Sequence, residues 1–493
     1  MSKTRDGNHY VAQSKAWTTG VNSLAASATA TSSTKTLEES YDMIVIGAGY
    51  AGLVAARDVA FAKKDVLLVE GRDRIGGRTF TYDFLGHKVE LGGTWVHWAQ
   101  PHVWSEMSRY GLTDGLAQSK AFSEPGEFSI NYNNDENNTA LLRDPRSTDA
   151  AMQRLVAAYF DVDGFGGRTI FPFPFKKMTN LEAIRKYDNL STKGRLQQLV
   201  GFSREDIALL AVNLTAFGSI PPEEQSFLTT LHYYALADYD YDRLMTMMGR
   251  YKIAEGQSTL AANIFGEFTG DAVFSKAVQS VVSSPCKVVV SLRSGEKITA
   301  KHVICTVPIN CLNDITFTPP LPPPMVKTQH RNWGGKVIVH LDKKIPSWWG
   351  LTAAPTPVDC LLVDKHSEHD GTFVVGFSPS DAHRTGGKVV EDPQIFTDKM
   401  LELCVPSTWD AHVTDLIWHD WNSDEISKGQ WAAWSAGQLK ELNSLLASAN
   451  VSRELTLASA DWADGWTGFI DGAIAEGRRA ARRAVLKLDS PRL

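Results

Sequence analysis

The 493-residue sequence has few cysteines. The five present (Cys286, Cys305, Cys311, Cys360 and Cys404) are an odd, scattered set without a C-x-x-C pair. This excludes a disulfide framework and points to a reducing compartment. No run of about 18 apolar residues occurs, which excludes a transmembrane helix. No basic run stands out, and 50 Lys and Arg against 56 Asp and Glu leave a net charge of −6. Nucleic acid is therefore not an expected partner. There is no metal-ligand spacing, no G-x-S-x-G nucleophile elbow and no internal repeat.

The composition, 43% hydrophobic and 22% charged, is that of a globular protein long enough for two or three domains. Residues 1–40 are rich in Ser, Thr, Ala and Lys and lack the apolar block of a secretory signal. They read as a flexible N-terminal arm.

The densest information lies between Met43 and Arg78. Met43-Ile44-Val45-Ile46 reads as a buried parallel strand. Gly47-Ala48-Gly49-Tyr50-Ala51-Gly52 follows, then a helical stretch, then a second strand ending at Glu70. Strand, glycine turn, helix and strand within about 30 residues is a dinucleotide-binding unit. Gly47 permits the tight exit, Gly49 admits a pyrophosphate close to the backbone, and Gly52 lets the helix pack on the strand. The helix N-terminus offers N–H groups to phosphate. Glu70 is placed for ribose hydroxyls and repels a 2′-phosphate. The continuation Gly71-Arg72-Asp73-Arg74-Ile75-Gly76-Gly77-Arg78 fits a second phosphate approach, with Arg78 able to pair bidentately. Only one such fingerprint occurs, so the dinucleotide is expected to be FAD, reoxidised by something small such as oxygen.

These residues carry a family resemblance. Glu70 to Arg78 resembles the FAD signature of the flavin amine oxidase superfamily, Leu91-Gly92-Gly93-Thr94-Trp95-Val96-His97 its next flavin loop, and Gly468-Phe469-Ile470-Asp471-Gly472-Ala473-Ile474 its C-terminal flavin motif. With Asp461-Trp462-Ala463, the C-terminal block is most similar to the soluble fungal monoamine oxidases. The resemblance implies an α/β fold: a Rossmann-like FAD-binding domain (41–118, 251–320 and 416–493) with an inserted mixed sheet-and-helix substrate domain (119–250 and 321–415). It assigns Gly47, Gly49, Ala51, Gly52, Glu70, Arg72, Gly77, Arg78 and Asp461 to FAD binding. It sets Gly93, Thr94 and Trp95 beside the flavin ring, Val278 at the adenine, and Ile470 with its N–H near the flavin. The mitochondrial enzymes hold FAD through a cysteine. The matching stretch here, Trp431-Ala432-Ala433-Trp434-Ser435, has none, so FAD is expected to be non-covalent. Ala460 stands where many relatives have a hydroxyl, which puts that phosphate contact in doubt.

The same resemblance makes Trp431 and Phe469 an aromatic cage that orients an amine and dries the site. It gives Lys336 a water-mediated contact to the flavin, where a cation assists electron transfer to oxygen. His97 is expected to be structural. The implied reaction is oxidation of a primary amine to an imine, hydrolysed to an aldehyde or ketone and ammonia, with oxygen giving hydrogen peroxide. Alternatives are oxidation of polyamines, L-amino acids or long-chain, toxin-type (fumonisin-like) amines, or a flavin-binding interaction module without turnover. The family often self-associates, so a homodimer is compatible and the oligomeric state open. The last tripeptide, Pro491-Arg492-Leu493, loosely resembles the peroxisomal S-K-L address, leaving peroxisome or cytoplasm as the location.

Overall fold

The strand Ser40–Ile46 runs into a turn at Gly47, and the helix Tyr50–Phe61 follows it. Met43 to Ile46 are all buried, which is why they read as an unbroken apolar run rather than an alternation. The strand pairs in parallel with Val66–Val69 on one side and Lys297–Cys305 on the other. The computed structural model describes residues 2–31, 38–124, 126–131, 141–143, 145–332, 334–352, 358, 360–367, 369, 371–378, 392–405 and 407–490. Pro491-Arg492-Leu493 lies outside them.

Among the described residues two large sheets dominate. The first has eight strands, parallel around Ser40–Ile46 and antiparallel at the hairpin of Val278–Ser284 and Lys287–Leu292. Its strand Leu455–Leu457 arrives from the far end of the chain. The second sheet has nine strands, centred on Gly335–Leu341 between Gly371–Ser378 and Val413–Trp418. The helices Arg204–Gly218 and Phe227–Leu236 come from the intervening stretch. The chain is thus a mixed α/β protein whose two sheets are each built from sequence-distant pieces.

The C-terminal helix Ile470–Asp489 packs on Tyr50–Phe61. The approach is close because Gly477 faces Ala51; a Cβ there would lie 2.3 Å from the Ala51 carbonyl oxygen. Among the described residues no helix is long and apolar enough to cross a membrane.

The expected flexible arm is overturned for residues 2–31. Asn8–Val11 adds to the second sheet against Val413–Trp418, and Ala16–Thr19 pairs with it. Ala25 and Ala26 are buried, and their helical turn packs on the helix Gln257–Gly266. Composition misled because small residues form little core of their own, but fit closely against partners supplied by the rest of the chain.

Charge anchors this segment too. The Asp6 carboxylate accepts from Arg72 at 2.9 Å and Arg74 at 2.7 Å. Asp424 accepts from both Nη1, which it shares with Asp6, and Nη2 of Arg72 at 2.5 and 2.9 Å, and accepts from His419 Nε2 at 2.8 Å. His419 Nδ1 in turn accepts the Gly7 N–H at 3.1 Å. Burial opposes ionisation of Asp6, but Arg74 and Arg72 more than offset it, holding the carboxyl below its ordinary value. Asp6→Ala leaves Arg74, which is fully buried, without a carboxylate partner. The expected cost is about 3–5 kcal/mol, read as a fall in Tm and earlier loss of cofactor on heating.

Candidate functional site

Residues from both sheets line one cavity of about 320 Å³. At one end, Gly47 has φ +101° and faces it. Gly49 is the N-cap of the helix Tyr50–Phe61 and has no side chain to occupy the free N–H groups of the first turn. A second glycine turn lies against the first: Gly49 bridges to Gly76, and a Cβ on Gly77 would lie 3.0 Å from the Gly49 Cα. These backbones, with Ala51, make a cradle that larger side chains would fill. Its chemistry suits a pyrophosphate. Gly52 does not reach the cavity. Its Cβ would lie 1.8 Å from the Gly47 carbonyl oxygen, so its service is to hold helix against strand.

Glu70 lines the cavity with each oxygen already accepting one backbone N–H, from Ala48 at 2.5 Å and Arg72 at 2.8 Å. Burial raises its pKa, opposed by those N–H groups and by Arg72. Arg72 also lines the cavity, but its guanidinium is committed to Asp6 and Asp424. Arg78 lines it and is held by the Gln430 carbonyl at 2.7 Å and Asp461 at 2.6 Å. Asp461 is fully buried outside the lining. Its second oxygen accepts the Ile309 N–H, so it orients Arg78 rather than meeting a ligand. Val278 contributes to the same end beside Gly71 and Ala277.

At the other end, Gly93, Thr94 and Trp95 line the wall with Ile470, the first residue of the C-terminal helix. That helix also begins without a side-chain cap, and its N-cap is Phe469. Lys336 is the second residue of the strand Gly335–Leu341, is 5% exposed and lines the cavity. Its Nζ donates to the Gly92 carbonyl at 3.0 Å and to Thr94 Oγ1, and sits 5.2 Å from the Trp95 ring. Burial lowers its pKa, with Glu90 and Asp364 pulling the other way, to about 8. Trp431 and Phe469 line the same space. Trp431 Nε1 donates to the Phe217 carbonyl at 3.1 Å, and Phe469 sits edge-on to Tyr233 and Trp466 at 5.4 and 5.0 Å. These contacts fix both rings. His97 does not line the cavity. It is buried, its Nδ1 accepts the Ala99 N–H, and burial pushes its pKa down to about 4.

The structure adds residues that the sequence reading missed. Phe122, Phe217, Met245, Met248, Trp349 and Phe377 complete this second end. They are tied together by ring contacts, Phe122 to Trp349 at 5.5 Å and Phe377 to both Trp95 and Trp431 at about 6 Å. Charge is segregated. Glu70, Arg72, Arg78, Lys276, Arg293, Asp314 and Glu425 gather at the glycine end, where Arg293 pairs with Glu425 at 3.1 Å. Among the described lining residues, Lys336 is the charged group of the aromatic end.

A dinucleotide cradle opening into an aromatic-lined chamber is the arrangement of a dinucleotide-dependent oxidoreductase acting on a small organic molecule. The chain belongs to the flavin containing amine oxidoreductase family, whose model matches residues 50–485. It is 31% identical over 460 residues to a pseudooxynicotine dehydrogenase of Pseudomonas sp., covering 89% of this chain and 85% of that one. It is 29% identical over 496 residues to the nicotine dehydrogenase of Pseudomonas putida, covering 98% of both. Among solved structures, a redesigned putrescine oxidase superposes with a TM-score of 0.72 at 21% identity, over 90% of this chain and 99% of that one. The cofactor is FAD, and the activity is oxidoreduction of amines.

Proposed function

We propose that the chain oxidatively deaminates a primary amine with a single basic nitrogen, using non-covalently held FAD and oxygen. The products are an imine, hydrolysed to an aldehyde or ketone and ammonia, and hydrogen peroxide. The observation that carries this reading is the aromatic chamber with, among its described lining residues, one charged group, Lys336, beside the cofactor cradle. FAD supplies the acceptor for a hydride from the carbon next to nitrogen. The protein does the rest. Trp431 and Phe469 orient the amine and exclude water. Their apolar surroundings disfavour an ammonium ion, so the amine binds neutral and needs no protein base. Lys336 supplies positive charge where electrons pass to oxygen.

The chamber also weighs against two rivals. A polyamine needs a carboxylate for its second ammonium, and an amino acid needs an arginine for its carboxylate. Neither group appears among the described lining residues of that end. Non-covalent binding is supported by the thiols at hand: Trp431 to Trp434 includes none, and of the cysteines that line the cavity, burial pushes Cys311 up to about 12 while Cys360 Sγ accepts the Trp349 Nε1–H at 3.1 Å. Acid precipitation should leave all of the FAD in the supernatant; flavin in the pellet would show a covalent bond.

A second reading keeps the amine and changes the acceptor, because two relatives are named dehydrogenases. One experiment separates these. The purified holoenzyme is mixed with a panel of primary, secondary and diamine probes without air, and loss of the yellow colour is followed. Air is then admitted and peroxide measured. Bleaching with stoichiometric peroxide supports the oxidase. Bleaching that persists in air until a quinone or cytochrome is added supports the dehydrogenase. No bleaching with any amine would sink both.

A further inference from the structure

We propose that Asn213 is a substrate-contacting residue whose carboxamide hydrogen-bonds a neutral polar group, a hydroxyl or a carbonyl, on an otherwise apolar amine. This rests on the amine-oxidising reading and narrows its substrate class.

Asn213 lies inside the helix Arg204–Gly218, in the run Ile207-Ala208-Leu209-Leu210-Ala211-Val212-Asn213-Leu214. It is 3% exposed, among core residues Leu209, Leu210 and Leu214. Asn213 and Phe217 are four residues apart, hence on one helical face, and both line the cavity. The helix packs against the strand Trp348–Thr352, which sets this face at the aromatic end. Among the described residues the Asn213 carboxamide has no hydrogen-bond partner in the protein, although the group has up to four bonds to make.

The Asn213 carboxamide faces the cavity rather than being sealed in the core, so its bonds are open to whatever occupies that space. Leu would suit the same position on this otherwise apolar helix face if packing were the residue's whole service. A ligand group that completes the bond accounts for the residue. The partner's character follows from Asn being neutral while its surroundings are apolar. An ammonium would call for a carboxylate and a carboxylate for an arginine, whereas a carboxamide pairs well with a hydroxyl or a carbonyl. The favoured substrate has one basic nitrogen at the Trp431–Phe469 cage, an aliphatic or aromatic body among Phe122, Trp349 and Met248, and a neutral polar group within reach of Asn213.

The test uses wild-type holoenzyme, Asn213→Leu and Asn213→Ala, with two matched probe pairs: tyramine against 2-phenylethylamine, and 6-amino-1-hexanol against hexylamine. Kd is read anaerobically from perturbation of the flavin absorbance, and the bleaching rate is recorded in parallel. In wild type, at least one hydroxylated probe is expected to bind about tenfold tighter than its partner, a typical value for one buried hydrogen bond. In both variants that ratio falls to within twofold, while the plain amines bind as before and FAD content is unchanged. No preference in wild type for either pair, a preference surviving in both variants, or FAD lost from both variants would overturn the assignment. Failure of the plain amines to bleach the wild type is a different result: it removes the amine-oxidising reading itself.

Discussion

A Lys336→Met enzyme should bleach with amine in the absence of air about as fast as wild type, and regain its colour in air about 100-fold more slowly. The asymmetry follows from where charge develops. Hydride loss from a neutral amine in a dry chamber asks little of a cation. Electron transfer to oxygen builds negative charge, and among the described lining residues Lys336 is the cation at that end. The site is prepared for it: the Nζ is held by the Gly92 carbonyl and Thr94 Oγ1, and water is largely excluded. Met keeps much of the side-chain volume and removes the charge. Unchanged recovery in air would remove Lys336 from the mechanism.

The same lysine gives a pH signature. Burial lowers its pKa to about 8, so the cation is present below that value and lost above it. The oxygen step in wild type should slow as pH rises through about 8 and be flat with pH in Lys336→Met, measured by stopped-flow recovery of the flavin absorbance. The stability effect has the opposite sign. Between about 8 and the ordinary 10.5 the unfolded chain binds more protons at this residue, so wild type gains stability over that window as pH rises, relative to the variant.

Gly52→Ala is the smallest substitution with a large expected effect. Its Cβ would lie 1.8 Å from the Gly47 carbonyl oxygen and 2.9 Å from Thr306 Oγ1, the first of these an obstacle of backbone. The helix Tyr50–Phe61 must then move off the strand Ser40–Ile46. That displaces the N–H groups at Gly49 and opens the contact with the Gly76–Gly77 turn. Overpacking of a dense core typically costs about 1–3 kcal/mol, and a backbone clash of this depth falls at or above the top of that range. The expected protein has a markedly lower Tm and carries little FAD. Ala at Gly86, where a Cβ meets nothing within 4 Å, controls for loss of a glycine, although its φ of +74° also carries strain. Wild-type FAD content in Gly52→Ala would show that the helix can shift without disturbing the cradle.

The cofactor half of the site was legible in sequence because its chemistry is local. Gly47, Gly49, Gly52 and Glu70 fall within one βαβ unit, and each residue type is dictated by backbone shape or hydrogen bonding over a few ångströms. The substrate half was not legible in the same way. Phe122, Asn213, Met248, Trp349 and Phe377 lie on separate helices and strands, and aromatic or thioether side chains in a core carry no mark of facing a cavity. Asn213 did leave a signal, a carboxamide in an apolar helical run. Burial without a partner, which gives that signal meaning, is a property of three-dimensional packing.

The N-terminal segment shows the same division. Its Ser-, Ala- and Thr-rich composition predicted an arm without structure, and nothing local contradicts that. Asp6 matters because folding carries it to Arg72 and Arg74, more than 60 residues away, and brings His419 and Asp424 from the other end of the chain. The sequence alone determined the dinucleotide turn, the preference for FAD and the lack of a cysteine beside Trp431, since these depend on residue type at short spacing. The tertiary structure decided which side chains share the chamber, that Asp461 serves Arg78 rather than a ligand, and that the N-terminal segment braces the cofactor loop. Those outcomes depend on long-range burial and ion pairing, whose energies arise only when distant segments meet.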